Sequence, residues 1–192
     1  VTGAKYLAIE ALERCKKLIG AGTYKLGASD KDADDLVFDC LSFCVRYGYG
    51  IAGHRPGFNR DWKEDWMTGA TSSVIDDLNS NSAIEDAFHA RELFELVTGP
   101  PQLGDIIAAP TIRLQGHPDP WVGHAVIVAG VERAHRRWDP QHPAFALLDV
   151  VECHGPDKTH PAIRMNNGTY FDGWRATWPK VQHRSWLLRV RV

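Results

Sequence analysis

The hydrophobic period of this chain changes at about Pro100, and nothing else in the sequence limits its fold as much. Ahead of that point apolar residues recur at helical spacing. Ala8, Leu12, Cys15 and Ile19 form one stripe in 5–19, with charged residues between them and Gly20 and Gly22 to stop the helix. A second helix is expected from about Cys40, capped by Asp39. Cys40, Phe43, Cys44 and Tyr47 then share an inward face, and Gly48 or Gly50 ends the helix. A third amphipathic helix is expected over 83–97, starting near Ser82.

Past Pro100 the pattern becomes that of strands. Residues 105–109 follow a turn made by a Pro-Pro pair and a glycine, and 121–129 place Val122, His124, Val126 and Val128 on one side. Residues 144–153 read as the next strand, with 133–143 as its turn or long hairpin, and the tail SWLLRVRV as the last. Helices first and an antiparallel sheet afterwards give an α+β fold, with the N-terminal helices packed on the sheet.

At 192 residues the chain forms one domain, and 44% hydrophobic residues supply its core. Against 24 acidic side chains stand 22 basic ones, in short scattered runs, which excludes a nucleic-acid surface. No run reaches the length of a membrane helix. Residues 1–20 carry charge throughout, so no signal peptide is expected among them. Four cysteines are too few for a disulfide scaffold in a chain of this size.

Cys40 is the residue on which a functional reading turns. It stands at about the first position of a helix, where unsatisfied N–H groups and the helix dipole favour a thiolate. A nucleophilic thiol also needs a base, normally a histidine from elsewhere in the fold. Of the nine histidines, His124 lies inside an apolar strand, where an imidazole is costly without a partner. His154 ends the next strand and is placed to accept the ring proton of His124, with His160 as the alternative if the register shifts. Asp39 is expected to cap, because a carboxylate beside the thiol opposes its ionisation.

This order of parts resembles the NlpC/P60 superfamily of papain-like cysteine peptidases. Tyr24 in TYKLG matches the family's loop tyrosine, and Asp39-Cys40-Leu41-Ser42-Phe43 its nucleophile motif. Gly104-Asp105-Ile106-Ile107 matches the turn leading into a strand, 123–130 (GHAVIVAG) the histidine strand, and His154 the third polar position. The match runs from about Tyr24 to His154. Leu41 departs from the usual serine, Gly27-Ala28 from the usual glycine pair, and residues 51–98 form an insertion.

The resemblance implies a cysteine endopeptidase or amidase acting on peptidoglycan stem peptides without metal or organic cofactor. Cys40 would be the nucleophile, His124 the base, His154 the orienting residue, and Tyr24 an oxyanion donor beside the Cys40 N–H. It also implies a secreted, cell-wall-associated or phage-derived setting. Within the insertion, Trp62, Trp66 and Arg60 offer aromatic faces and a guanidinium for a peptide carboxylate. The alternatives are another amide or acyl ester as substrate, a binding module, or a structural zinc site. That last site would use Cys40, Cys44, His124 and either Cys153 or His154.

Overall fold

The structure is a computed structural model, and it describes residues 4–25, 28, 35–51, 94–113, 121–134, 137–139, 142–155, 161–172 and 186–191. The first helix, α1, is Ala8–Lys16. Its N-terminus is closed by Glu10, whose carboxylate accepts the Leu7 N–H at 3.0 Å. Of the expected stripe, Leu12 and Cys15 are buried, joined by Ala11, and face the second helix, whereas the helix stops at Lys16 and Ile19 is exposed beyond it. Arg14 ties the two together: its Nε donates to the Tyr47 carbonyl at 3.2 Å, and its guanidinium lies 4.0 Å over the Tyr6 ring.

That second helix, α2, begins at Cys40 as expected, but most of it, Ser42–Gly48, is wound in the wider π pitch. The Tyr49 N–H accordingly reaches back five residues, to the Cys44 carbonyl at 3.3 Å. Ahead of α2, β1 (Thr23–Tyr24) and β2 (Val37–Phe38) form a short parallel pair, with Tyr24 opposite Phe38. Sequence periodicity gave no sign of it.

The sheet has six strands, all antiparallel: β3 (Phe94–Leu96), β4 (Ile106–Arg113), β5 (Trp121–Gly130), β6 (Asp149–Cys153), β7 (Ile163–Asn167) and β8 (Trp186–Val190). Their order is β3-β8-β4-β5-β6-β7. The fold is therefore α+β with few helices. Two expectations are corrected. Phe94–Leu96, assigned to the end of a helix over 83–97, pairs instead with β8, burying Phe94 and exposing Glu95 in strand alternation; residues 83–93 lie outside those described. Likewise 144–153 is not one strand. Phe145–Leu147 is a 3₁₀ turn whose free N–H groups at Phe145 and Ala146 are taken by Asp172 at 3.2 and 2.8 Å.

Alternation gives the sheet two buried faces. Ile106, Ala108, Ala125, Ile127, Val151, Cys153 and Ile163 meet α1 and α2, while Ile107, Val126, Val128 and Val150 meet Phe145, Leu148 and Phe171. The Gly104–Asp105 turn starts β4. Gly104 has φ +89°, and a Cβ there would lie 2.7 Å from the Ala8 carbonyl oxygen, so glycine alone allows α1 to pack this closely. Asp105 accepts the Gln102 N–H at 2.7 Å and a two-point contact from Arg189 at 2.8 and 2.8 Å. Burial pushes its carboxyl up, with Arg189 and the Gln102 N–H pulling the other way. The turn that the family resemblance singled out is thus a structural lock between β4 and β8. Among the described residues no helix is long and apolar enough to cross a membrane.

Candidate active site

Asp39 and Ser42 fix the start of α2. The Ser42 N–H donates to Asp39 Oδ1 at 2.7 Å, and the Asp39 N–H donates to Ser42 Oγ at 3.0 Å. This reciprocal cap contributes about 1 kcal/mol and presents Cys40 at the helix start. Tyr24 stands beside it through the Tyr24–Phe38 pairing, its ring 3.6 Å from where a Gly155 side chain would begin.

The backbone N–H groups of Ala125, Leu41 and Cys40 itself lie near enough to the Cys40 thiol to act on its ionisation. Ala125 is available on that side because the β5–β6 ladder begins only at the Val126–Glu152 pair, one residue after it. The amides favour a thiolate, but burial first and the Asp39 charge second push the thiol up to about 12. The resting thiolate expected from a helix start is therefore not what this environment supports. Cys40 rests as a thiol.

His124 and Glu152 lie across the end of the same ladder, on the sheet face away from α2. The imidazole is 5 % exposed and the carboxylate 0 %. His124 Nε2 lies 2.9 Å from Glu152 Oε2. Two charged or chargeable groups at this depth survive only with full hydrogen bonding. Burial tends to raise the Glu152 carboxyl, but hydrogen bonds from His124, Tyr170 and Asn166 reverse that and hold it far below the usual carboxylate range. Burial lowers His124 below the usual imidazole value, opposed by Glu152. The site thus holds an anionic Glu152 and a neutral His124. An ionised carboxylate only accepts, so the imidazole proton is on Nε2 and Nδ1 carries the free lone pair.

The group that hydrogen-bonds the His124 ring is Glu152 and not the expected His154. His154 is close, its ring 5.3 Å from that of His124 and edge-on to it, but it is exposed and its Nδ1 faces the Gly155 carbonyl at 3.2 Å. Glu152 projects from the same strand face two residues deeper, opposite Val126 in the register, and there meets the ring nitrogen. A glutamate alternating with valines carries the signal that marked His124, a buried polar group in need of a partner.

His124, Glu152 and His154 thus cluster at the open end of the β5–β6 ladder, on the face away from α2, while Cys40 approaches the same end from α2 through the Ala125 amide. No hydrogen bond joins the Cys40 thiol to His124 among the described residues, consistent with a resting thiol. Trp62, Trp66, Arg60 and the alternative His160 lie outside the described residues. Cys15 and Cys153 donate to the carbonyls of Phe43 and Phe38 at 3.9 and 3.7 Å, and burial raises Cys15, Cys44 and Cys153 as ordinary core thiols. All four cysteines are free, and among the described residues no group of three or more His, Cys, Asp and Glu is arranged to hold a metal. Compared with protein-family models, curated proteins and solved structures, the chain matches none.

Proposed function

We propose that this chain is a thiol hydrolase of the NlpC/P60 kind, cleaving amide bonds in peptides, with peptidoglycan stem peptides as the substrate class. One observation carries the reading: a buried His124–Glu152 pair, its unprotonated ring nitrogen being Nδ1, one residue from the Ala125 amide that acts on the Cys40 thiol. A core histidine with a purely structural task needs a hydrogen-bond partner but no neighbouring thiol at a helix start. The papain-like arrangement and the substrate class rest on the motif resemblance around Tyr24, Cys40, Gly104-Asp105 and His124.

In this reading a bound carbonyl carbon is attacked by Cys40 Sγ while His124 Nδ1 takes the thiol proton, so the thiolate never accumulates. The Cys40 N–H donates to the developing oxyanion, with the Tyr24 hydroxyl beside it. Glu152 stabilises the imidazolium through Nε2–H without taking the proton, which His124 delivers to the departing amine. A water then attacks the thioester, giving one proton to His124 and leaving the acid product. The proton returns to Cys40.

Purified muropeptides incubated with the protein, with products read by mass spectrometry, test this. New amine termini are expected with the native chain and none with Cys40→Ala or His124→Ala. Turnover of p-nitrophenyl acetate alone, dependent on Cys40, would move the substrate to acyl esters. No Cys40-dependent turnover of either substrate would overturn the reading.

A further inference from the structure

We propose that Tyr170, Arg164 and Asn166 are positioning residues that lock Glu152 in place and thereby fix His124 with its proton on Nε2. A carboxylate offers about four lone-pair directions, and here four donors occupy them. Oε2 accepts from His124 Nε2 at 2.9 Å and from the Tyr170 hydroxyl at 2.7 Å. Oε1 accepts from Arg164 Nε at 2.8 Å and from Asn166 Nδ2 at 2.9 Å. A protonated Glu152 would add a donor where its neighbours already donate, so the set admits only the anion.

The fold brings these donors together from one short stretch. Arg164 is directly opposite Glu152 in the β6–β7 register, and Asn166 is opposite Val150 on the same face. Tyr170 returns after the turn at Gly168, where a Cβ would collide with the Phe145 carbonyl, so glycine alone lets the turn pack on the 3₁₀ turn. Its ring also lies 5.5 Å from the His124 ring, with Phe171 at 6.2 Å. Tyr170 thus bonds the carboxylate and packs against the imidazole it orients. Sharing Oε2 matters chemically. The tyrosine withdraws part of the negative charge that would otherwise draw a second proton onto His124, and Arg164 acts in the same sense from the other oxygen. His124 stays neutral, ready to accept at Nδ1.

The catalytic consequence rests on the hydrolase reading, but the lock itself can be measured without a substrate. In ¹⁵N-labelled protein at pH 7.5, long-range ¹H–¹⁵N correlation of the imidazole identifies which nitrogen carries the proton. The native chain should show His124 as a single Nε2–H tautomer. Glu152→Gln, which offers an amide N–H₂ toward one pair of donors, should move population to Nδ1–H. Tyr170→Phe and Arg164→Met should keep the tautomer but shift the His124 titration to higher pH. If turnover is found, kcat should fall in both with KM unchanged and its acid limb should move with the titration. An Nδ1–H tautomer in the native chain overturns the inference, with no need of any variant to fold. So does a Tyr170→Phe protein whose His124 titrates as in the native chain. Either result leaves the Cys40 tests untouched, and failure of those tests leaves the tautomer result standing.

Discussion

Alkylation of Cys40 as a function of pH discriminates between a resting thiol and a preformed thiolate–imidazolium pair. Burial and Asp39 push Cys40 up to about 12, so at pH 7.5 only about one molecule in 30,000 carries the thiolate. A free cysteine with a pKa of about 8.5 has about one in ten ionised at that pH, a ratio of roughly 3,000. The more basic thiolate is the better nucleophile. With a Brønsted slope of about 0.45 over about 3.5 units it gains roughly fortyfold. Together these predict that iodoacetamide alkylates Cys40 about a hundredfold more slowly than a free cysteine at pH 7.5. The rate should climb tenfold per pH unit with no plateau below about pH 10. Peptide mapping after timed quenching reads the rate at each cysteine. Asp39→Asn keeps an oxygen for the Ser42 N–H, so the cap survives while the adjacent charge goes, and Cys40 alkylation should accelerate. A rate plateau between pH 5 and 7, lost in His124→Ala, would refute the reasoning and restore the ion pair.

Glu152→Ala strands one buried and three partly buried donors, and breaking an ionic network centred on a buried carboxylate costs about 3–5 kcal/mol. The urea midpoint should fall by about 2 M at an m-value near 2 kcal/mol/M, and a fall under about 0.5 M would mean that the network is not intact. Gly104→Ala forces a side chain into positive φ and against the Ala8 backbone, for a loss of about 2–3 kcal/mol in the same assay; no change would argue against the packing of α1 on this turn. Because burial lowers His124 in the folded state, the unfolded chain binds that proton more readily. The stability gained by keeping His124 neutral is complete above the unfolded value of about 6.5 and is lost as pH falls through the folded one, at up to about 1.4 kcal/mol per pH unit. Unfolding free energies at pH 5, 6 and 7 should therefore fall more steeply for the native chain than for His124→Gln, and equal slopes would place the imidazole in solvent.

What could be read from the sequence divides along physical lines. Local chemistry was legible: the Asp39 cap, the Leu12 and Cys15 part of the first helix's stripe, and the alternating strand that carries His124 all depend on near neighbours. Pairing between distant segments was not. Phe94–Leu96 is a strand only because β8 lies beside it, and a three-residue run carries no period of its own. The wide pitch of α2 has no residue signature comparable to proline or glycine. Glu152 follows two valines in a segment whose pattern is dominated by its apolar residues, and Tyr170 sits in a glycine-flanked stretch, 166–174, that carries no period. Both enter the site through the β6–β7 register, which places Arg164 opposite Glu152 and returns Tyr170 onto its oxygen. The cost of burying His124 was legible; the partner that meets that cost was not.

Intact-protein and peptide mass spectrometry after exposure to p-nitrophenyl acetate at pH 7.5, quenched in acid, tests the central claim most directly. The account predicts one acetyl group per chain, on Cys40, formed faster than Cys40 alkylates with iodoacetamide because His124 takes the proton as the carbonyl is attacked. His124→Ala should lose this acylation while keeping its fold. Acetyl groups absent from Cys40, or formed there equally in His124→Ala, would contradict it.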